Sequence, residues 1–294
     1  MAWNWIDDAM ALNYDHLMSL KRDAERFSYT DRETMLYAIG IGMGADPMDR
    51  TELAYVFEKE TLKTVPTMAS VLTRVALLKD CGYDYTRVVH GEQHLTLHRP
   101  LPPQGELVAS ARVTAAFDKG PGKGAVIYTE TAARSAEDGK PMFTLVSSTF
   151  ARGDGGFGGP AGSGPPPHAV PERKPDVTTT LATRKDQALL YRLNGDRNPL
   201  HADPDLAMCV GFPAPILHGL CTYGIACRAI LQTIAVYDHT KIAAFDVRFS
   251  APVYPGESIA TDIWVDGGTV SFRCRIPARN DIVVINNGRC NLAS

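Results

Sequence analysis

Alternating or β-branched segments make up much of the chain, and they fall into two groups of four. Each segment has eight to twelve residues, and Gly, Pro or Asp residues separate the segments. Segments of this kind predict β-strands. We expect strands at 92–99, 107–118, 124–134 and 142–151, and again at 242–251, 258–266, 269–277 and 282–292. Because the strands of each group follow one another with short turns, antiparallel pairing is favoured.

Helical patterns precede each group of strands. Thr30 stands three residues before Glu33, and Thr183 stands three residues before Asp186, each just ahead of an apolar run. This spacing is typical of a capping box, in which a hydroxyl and an acid satisfy the free N–H groups at a helix start. We therefore expect one helix to begin after Thr30 and another after Thr183.

A longer apolar helix is predicted next in each half, over 66–79 and over 215–235. The second has a single charged residue between positions 216 and 235, which is Arg228. A helix that is apolar on nearly all sides is predicted to lie in the core. The economical arrangement is an antiparallel sheet wrapped around one central helix, made twice, which is an α+β fold.

The two halves match in order as well as in content. Tyr37 matches Tyr191 at an offset of 154, and two proline-containing segments follow in the same order at offsets of 149 and about 152. Three matches in order at nearly constant offset indicate an internal repeat. Each half is therefore expected to repeat one plan, with short loop insertions between the elements.

A glycine-rich segment separates the halves. The residues GDGGFGGPAGSG at 153–164 include seven glycines among twelve, and PPPHAVPERKP follows them. Such a segment cannot bury much apolar surface and has neither a helical nor a strand period. We interpret 153–176 as a linker between an N-terminal domain, 1–152, and a C-terminal domain, 177–294.

The composition excludes several classes of protein. The chain has 294 residues, of which 45% are hydrophobic and 21% are charged, and its net charge is −3. A slightly negative charge argues against a nucleic-acid partner held by a basic field. No apolar run approaches the ~18 residues that a membrane span needs, and the acidic N-terminal residues are unlike those of a secretory signal. We therefore expect neither a nucleic-acid nor a membrane partner.

The cysteines and the C-terminus bear on location. Six cysteines are spread along the chain without a C-x-x-C pair, which fits free thiols in a reducing compartment. The C-terminal Leu-Ala-Ser is not a peroxisomal signal of the S-K-L type. A cytoplasmic location is expected, with a peroxisomal one left open for a eukaryotic source.

The two halves differ where polar residues cluster. After Tyr191 the chain reads RLNGDRNPLHADP, and after Tyr37 it reads AIGIGMGADP. Gly42 therefore stands where Asp196 stands, and no histidine matches His201. A repeated scaffold with these polar groups in only one copy indicates one working site and one degenerate copy.

Asp196 and His201 are the candidate acid–base pair. Gly195 loosens the chain after the helix, and Asn198 precedes a proline, so the segment turns and can bring both side chains to one spot. A water between them would meet a base and an acid, a pairing that contributes about 10²–10⁴-fold in rate. Burial is expected to raise the pKa of the Asp196 carboxyl. The alternative is that Asp196 and Asn198 only cap turns and that His201 is a core histidine.

Gly219 offers a second element of a site. A glycine near the start of a buried helix lets a ligand approach the backbone, and the free N–H groups there favour negative charge. This would suit a carbonyl oxygen that gains charge in a transition state. The alternative is that the glycine only allows close packing between helix and sheet.

Three other signals are rejected. His90, His94 and His98 are spaced as metal ligands on a helix, but their segment alternates like a strand, where residues four apart lie about 13 Å apart. We therefore expect no metal there. The glycines of 40–44 follow a helix rather than a strand, unlike a dinucleotide site, and no G-x-S-x-G elbow is present.

The motifs resemble those of a known family. LNGDRNPLHADPDLA and GFPAPILHGLCTYG resemble the signature of the hydratase 2 family, the MaoC-like (R)-specific 2-enoyl-CoA hydratases. HGEQHLTLHRPLP, DKGPGKG, GGFGG and VRFSAPVYPGE resemble this family too, so that the likeness extends from about residue 27 to the C-terminus. The family includes the hydratase part of peroxisomal multifunctional enzyme type 2 and stand-alone bacterial enzymes.

The resemblance implies a double hot-dog fold, in which each half is a curved antiparallel sheet around a long central helix. It implies cofactor-free, reversible hydration of trans-2-enoyl-CoA to (3R)-3-hydroxyacyl-CoA in fatty acid β-oxidation. It makes Asp196 and His201 the catalytic pair, without deciding which is the base. Asn198 would complete the motif, and the N–H of Gly219 would receive the thioester oxygen.

The resemblance also implies substrate contacts. The positions that it assigns to the CoA or acyl part of the substrate are His90, Gly91, Lys119, Arg197, Pro199, Leu200 and Phe249. The degenerate first half would leave room for a bulky or long acyl chain. No metal and no cofactor are expected beyond the CoA of the acyl-CoA substrate, and a homodimer is expected from the family.

Two other functions are compatible with these residues. A hot-dog thioesterase would bind the same acyl-CoA but direct water at the carbonyl carbon, and the sequence does not give the direction of attack. A non-catalytic acyl-CoA-binding protein would not need Asp196, Asn198 and His201 together. Release of free CoA would indicate the first function, and binding without turnover would indicate the second.

Overall fold

The computed structural model describes residues 12–59, 61–79, 81–83 and 87–293. Within them the helices are α1 (Tyr14–Ser19), α2 (Asp31–Gly40), α3 (Arg50–Val56), α4 (Ala69–Leu72), α5 (Gln187–Tyr191), α6 (Pro204–Cys209) and α7 (Gly219–Thr233). The strands are β1 (Lys21–Tyr29), β2 (Val88–Leu97), β3 (Gly105–Asp118), β4 (Ala125–Ser135), β5 (Pro141–Ala151), β6 (Val177–Ala182), β7 (Ile242–Phe249), β8 (Ser258–Asp266), β9 (Thr269–Ile276) and β10 (Ile282–Leu292).

All ten strands form one antiparallel sheet in the order β1-β3-β4-β5-β2-β7-β10-β9-β8-β6. Read outward from the central β2–β7 pair, the two halves have the same strand order, so the internal repeat is visible in the topology. The eight predicted strands are all present. The α+β class and the antiparallel pairing are thus confirmed, and the two expected sheets are continuous as one.

The two edge strands, β1 and β6, were missed by the sequence analysis. β1 reads KRDAERFSY and β6 reads VTTTLA. Most residues of β1 are exposed, and every second residue of β6 is exposed. Each pairs on one side only, β1 with β3 and β6 with β8. Edge strands often carry charged or polar side chains because these discourage pairing with other chains, and such side chains weaken the hydrophobic signal of a strand.

The central helix of the second half is α7, which is buried along most of its length. It begins at Gly219 rather than at Pro215, because the N–H of Leu217 donates to the Val253 carbonyl and holds the preceding residues extended. Its Tyr223 hydroxyl donates to the Phe245 carbonyl of β7 at 2.8 Å. This bond ties the helix to the middle of the sheet.

The long helix expected over 66–79 is wrong. A 3₁₀ turn, Pro66–Met68, leads into α4, which has only four residues. The chain leaves the helical conformation at Thr73, whose φ and ψ are −122° and 84°. The first half is therefore built around a much shorter helix than the second.

One predicted helix cap is confirmed and the other is wrong. Thr30 and Glu33 form a capping box at the start of α2. The Thr183 hydroxyl instead donates to the Glu257 carbonyl at 2.7 Å and accepts from the Gly256 N–H at 2.9 Å. These bonds extend the edge of the sheet beyond β6, and α5 consequently begins at Gln187.

The matched tyrosines of the two halves lie against each other in the core. The rings of Tyr37 and Tyr191 are both fully buried, with centroids 6.0 Å apart in an edge-to-face arrangement. The Gln187 side chain donates to the Gly40 carbonyl across the same junction. Helices α2 and α5 are thus packed together where the two copies meet.

The segment 153–176, all of which the structure describes, contains neither a helix nor a strand of the sheet. It is nevertheless fixed to the sheet by hydrogen bonds. The Asp118 carboxylate accepts hydrogen bonds from the N–H groups of Gly120, Gly156 and Gly158. These bonds lower the pKa of Asp118, with the Gly156 N–H as the largest cause. Farther along, the His168 ring hydrogen-bonds to the Ser271 hydroxyl of β9 at 2.8 Å.

Charged side chains cross the junction between β2 and β7. The His94 ring lies 3.4 Å from the Asp246 carboxylate and 3.7 Å from that of Glu92. Arg289 donates to Asp246 at 2.6 Å, and the Tyr128 hydroxyl donates to Glu92 at 2.8 Å. Burial lowers the pKa of His94, but the two carboxylates outweigh it and raise that pKa to about 9.

This cluster predicts a pH-dependent stability. The folded pKa of His94 lies above its unfolded value of 6.5, so its contribution is present below about pH 6.5 and is lost as pH rises through about 9. We expect His94→Gln to lower the free energy of unfolding by about 1 kcal/mol at pH 6, and by less at pH 10. The pKa shift overstates the effect because 40% of the side chain is exposed.

Urea denaturation of both proteins at the two pH values measures this difference. His98→Gln is the matched control, because that ring bonds the Thr144 hydroxyl rather than a carboxylate. An equal loss for His94→Gln at pH 6 and pH 10 would contradict the prediction.

No helix among the described residues is long and apolar enough to cross a membrane. The six cysteines all lie in the described part of the chain and form no disulfide there; Cys209 is exposed whereas the others are buried.

Candidate active site

The predicted turn after α5 is present. A 3₁₀ turn, Arg192–Asn194, ends at Gly195, which adopts a left-handed conformation with φ of 104°. A second 3₁₀ turn, Pro199–His201, begins after Asn198, whose side chain accepts from the Leu200 N–H. The chain then enters α6, which is capped by Asp203 as expected. This succession of short turns directs Asp196 and His201 to the same side of the loop.

The loop brings Asp196 and His201 together, and His218 joins them. A potential ligand atom of each side chain lies within 4.8 Å of those of the other two. The rings of His201 and His218 are stacked, with centroids 3.6 Å apart. Nδ1 of His201 donates to the Ile216 carbonyl at 2.8 Å, because a carbonyl can only accept. Its Nε2 is therefore the nitrogen with a free lone pair when the ring is neutral.

The expectation of a raised pKa for Asp196 is wrong in sign. Burial does raise it and is the largest single influence, but His218, Arg74, the Asn198 N–H and His201 together lower the pKa below its usual value. Burial lowers the pKa of His201, more than its bond to the Ile216 carbonyl raises it. At neutral pH the site thus combines an ionised carboxylate with a neutral imidazole.

His218 is a site residue to which the sequence analysis gave no role. Its ring is 1% exposed, and Nε2 donates to the main-chain carbonyl of Asp196 at 3.1 Å. Burial and the neighbouring His201 lower its pKa to about 4, so the ring is neutral. Its Nδ1 is buried without a hydrogen-bond partner among the described residues. The available signal was its place directly before Gly219.

Gly219 lies where an oxyanion site was expected. It is the first residue of α7, a position whose N–H has no acceptor within the helix. A Cβ at Gly219 would lie 3.3 Å from the ring of Phe249, so a larger residue would press on that ring. Phe249 in turn packs on His90, with ring centroids 4.9 Å apart.

His90 and Gly91 lie at the start of β2. The His90 ring hydrogen-bonds to the Glu92 carbonyl at 3.0 Å, and burial lowers its pKa to about 4 despite the charge of Asp196. Gly91 lies at a break in the register between β2 and β5, and a Cβ there would come 2.6 Å from the Ser148 hydroxyl. The structure thus gives Gly91 a packing role.

The structure relates the other predicted residues to Asp196 and His201 in different ways. Asn198 reaches Asp196 through its main chain, since its N–H donates to the Asp196 carboxylate at 3.2 Å. Arg197 and Pro199 are exposed on the loop, and Leu200 is half-buried. Lys119 follows β3, which is separated from β2 by β4 and β5, and its ammonium lies 5.9 Å from the Phe150 ring. The described contacts of Lys119 are thus with Phe150 and, through its main-chain N–H, with the Gly124 carbonyl rather than with Asp196 or His201.

The donor set of Asp196, His201 and His218 would suit a divalent metal by composition alone. Ligands of one ion must direct their lone pairs at a common point, whereas the lone pairs of stacked rings lie in two nearly parallel planes. Arg74 adds a positive charge that acts on Asp196. The arrangement favours a polar neutral ligand such as water, and the metal-free site stays a prediction.

Two family models cover most of the chain. The MFE-2 hydratase 2 N-terminal domain matches residues 27–153, and the MaoC like domain matches residues 165–284. The solved structure of a MaoC-like dehydratase from Phytophthora capsici aligns with a TM-score of 0.84 and 30% identity, covering 96% of this chain and 98% of that one. A Mycobacterium tuberculosis protein with a double hotdog fold aligns over 97% of this chain and 99% of its own, at a TM-score of 0.61 and 12% identity, which bears on the fold alone.

Two named proteins are similar to this chain over most of its length. Enoyl-CoA hydratase ChsH3 of Mycobacterium tuberculosis is 39% identical over 94% of this chain and 98% of its own. Peroxisomal multifunctional enzyme type 2 of Mus musculus is 37% identical over 88% of this chain and 36% of its own. The fold and these relatives agree with the motifs, and the double hot-dog architecture is confirmed. The chain belongs to the MaoC-like hydratase 2 family.

Proposed function

We propose that this protein hydrates trans-2-enoyl-CoA reversibly to (3R)-3-hydroxyacyl-CoA without a cofactor. The observation that carries the proposal is the meeting of the Asp196 carboxylate with His201, whose Nε2 is free, in the same half as Gly219, whose N–H has no acceptor within its helix. The names of the relatives support the reaction class. They include ChsH3, which is an enoyl-CoA hydratase, and 3-hydroxyacyl-thioester dehydratase Y of Mycobacterium tuberculosis, which is 39% identical to this chain.

The protonation states suit this reaction. Hydration adds hydroxide to C3 and a proton to C2 of the enoyl group, so the proton that leaves water can be the one delivered to C2. The ionised Asp196 carboxylate and Nε2 of the neutral His201 are both unprotonated, and either can take that proton from a water held between them. The group that takes it then acts as the acid. No external proton or cofactor is required.

Gly219 would stabilise the intermediate charge. As hydroxide adds at C3, electrons move toward the thioester oxygen, which becomes an enolate. A backbone N–H at the start of α7 donates to that oxygen, and the helix dipole favours its negative charge. The Phe249 ring beside Gly219 leaves little room for a side chain there.

The proposal also assigns different roles to the two halves of the chain. The C-terminal half, 177–294, carries the chemistry, and the N-terminal half, 1–152, binds the acyl-CoA together with the substrate residues His90, Gly91, Lys119, Arg197, Pro199, Leu200 and Phe249. Segment 153–176 connects them. A homodimer and a cytoplasmic location are proposed, or a peroxisomal one in a eukaryote, where relatives such as enoyl-CoA hydratase 2 of Arabidopsis thaliana are described as peroxisomal.

The test is a spectroscopic assay with trans-2-enoyl-CoA of several chain lengths. We expect loss of the enoyl absorbance, a 3R product on chiral analysis, and a fall of about 10²-fold or more in His201→Ala, because its imidazole can no longer move the proton. His239→Ala is the control, a histidine outside the site. Release of free CoA without hydration would indicate a thioesterase, and binding without chemistry would indicate a non-catalytic protein.

A further inference from the structure

An arginine from the first half reaches the catalytic loop of the second. Arg74 follows α4, and its Nη1 donates to the Gly195 carbonyl at 2.7 Å. The two residues are 121 positions apart in the chain, so this bond exists only because the halves pack together. Asp196 is the next residue after Gly195.

Arg74 also lies close to the α-carbon of Gly195. Gly195 has φ of 104°, which is a conformation that glycine adopts readily. A Cβ built there would lie 3.1 Å from Nε of Arg74 and 3.2 Å from its Cδ. The stem of Arg74 therefore lies against the same turn whose carbonyl its guanidinium binds.

The positive charge of Arg74 is not neutralised by an ion pair within the described residues. Arg74 is exposed, and within the described part of the chain its guanidinium bonds the Gly195 carbonyl rather than a carboxylate. A charge-assisted bond to a carbonyl leaves the positive charge free to act on neighbours. Its nearest relevant neighbours are the groups around the catalytic loop.

We propose that Arg74 is a positioning residue for Asp196, with the first half supplying a guanidinium that fixes the Gly195 carbonyl and the turn that presents the carboxylate. The degenerate half thus contributes to catalysis by holding the loop of the working half. The proposal deepens the hydration reaction proposed above and rests on it for its kinetic consequences only.

Arg74 also acts on the ionisation of the site. Burial raises the pKa of Asp196, and His218 and the guanidinium of Arg74 lower it. The other groups that face Asp196 are the Asn198 N–H, the rings of His201 and His90, and the hydroxyl of Tyr191. Arg74 is the one permanent cation in this set, since the histidines titrate and the others are neutral at pH 7.

Removal of the cation should be visible in the pH profile. We expect Arg74→Met to lower kcat about tenfold at pH 7 with KM changed less than about threefold, which matches a charge-assisted hydrogen bond. The loss should be larger at pH 5 than at pH 8, because the Asp196 pKa rises without the guanidinium. Arg74→Lys keeps the charge and should recover most of the low-pH activity.

A second measurement needs no substrate. Protein labelled with ¹³C at aspartate carboxyl carbons can be titrated by NMR, and the Asp196 signal is assigned by its absence in Asp196→Asn. The Asp196 midpoint is expected at higher pH in Arg74→Met than in wild type. Arg134→Met, at an exposed arginine of β4, is the matched control and should leave both the kinetics and the Asp196 midpoint unchanged.

The outcomes separate the two proposals. An unchanged Asp196 midpoint in Arg74→Met overturns the role of Arg74, as does an equal loss of kcat at every pH in both Arg74 variants. A wild-type protein that does not hydrate enoyl-CoA overturns the proposed function instead. In that case the NMR titration still decides whether Arg74 acts on Asp196.

Discussion

Asp196→Asn is expected to lower kcat for enoyl-CoA hydration by about 10³-fold. The amide keeps the shape of the side chain and an oxygen to accept the Asn198 N–H, but it cannot take a proton from water. It also removes the charge that faces His201 and His218. Because the carboxylate is half-buried, its removal relieves some desolvation, and the melting temperature should change by only a few degrees.

The measurement is steady-state hydration of a trans-2-enoyl-CoA together with a thermal melt. Asp203→Asn is the matched control, since it makes the same change seven positions along the chain, at the N-cap of α6, where asparagine caps nearly as well. That variant should keep close to full activity. If Asp196→Asn retained more than about a tenth of the activity, Asp196 would not be the proton-transfer group.

The second large effect concerns stability. Glu52 of α3 is 2% exposed and pairs with Arg228 of α7 through two bonds, of 2.7 and 3.0 Å. The Gly44 N–H and the Tyr237 hydroxyl also donate to the Glu52 carboxylate. Replacing it by leucine leaves the Arg228 charge buried without a partner. We expect Glu52→Leu to lower the free energy of unfolding by about 3–5 kcal/mol.

Urea denaturation at pH 7 measures this loss. The double variant Glu52→Leu/Arg228→Met is the control, because removing both charges replaces the pair by apolar groups and should restore much of the stability. If the double variant were as unstable as Glu52→Leu, lost packing rather than an unpaired charge would be the cause. If Glu52→Leu kept the stability of the wild type, water would be hydrating the Arg228 guanidinium in the variant.

The same ion pair lies beside the position that matches Asp196 in the first copy. Gly42 stands where Asp196 stands in the repeat, and a Cβ at Gly42 would lie 3.0 Å from Nη1 of Arg228. The space that a catalytic side chain would need in the first half is thus taken by a guanidinium. The ion pair of Glu52 and Arg228 joins α3 to α7 at this place.

Much of the fold could be predicted from local patterns. Strand alternation and turn residues have short periods, so eight strands, the Thr30 cap and the repeat were found from sequence. The wrong expectations concern residues whose local pattern is outweighed by contacts with residues distant in the chain. Thr183 had the spacing of a cap, but its hydroxyl is engaged at the sheet edge by Gly256 and Glu257.

The sequence by itself determined the repeated α+β plan and the loop that carries Asp196 and His201, because turns and periodic burial depend on neighbours in the chain. Only the tertiary structure decided the sign of the Asp196 pKa shift, the tautomer of His201, and the presence of His218 and Arg74 beside them. Burial and charge act through space, so these properties depend on residues that are distant in sequence. Arg74, which is supplied by the other half of the chain, shows this dependence most directly.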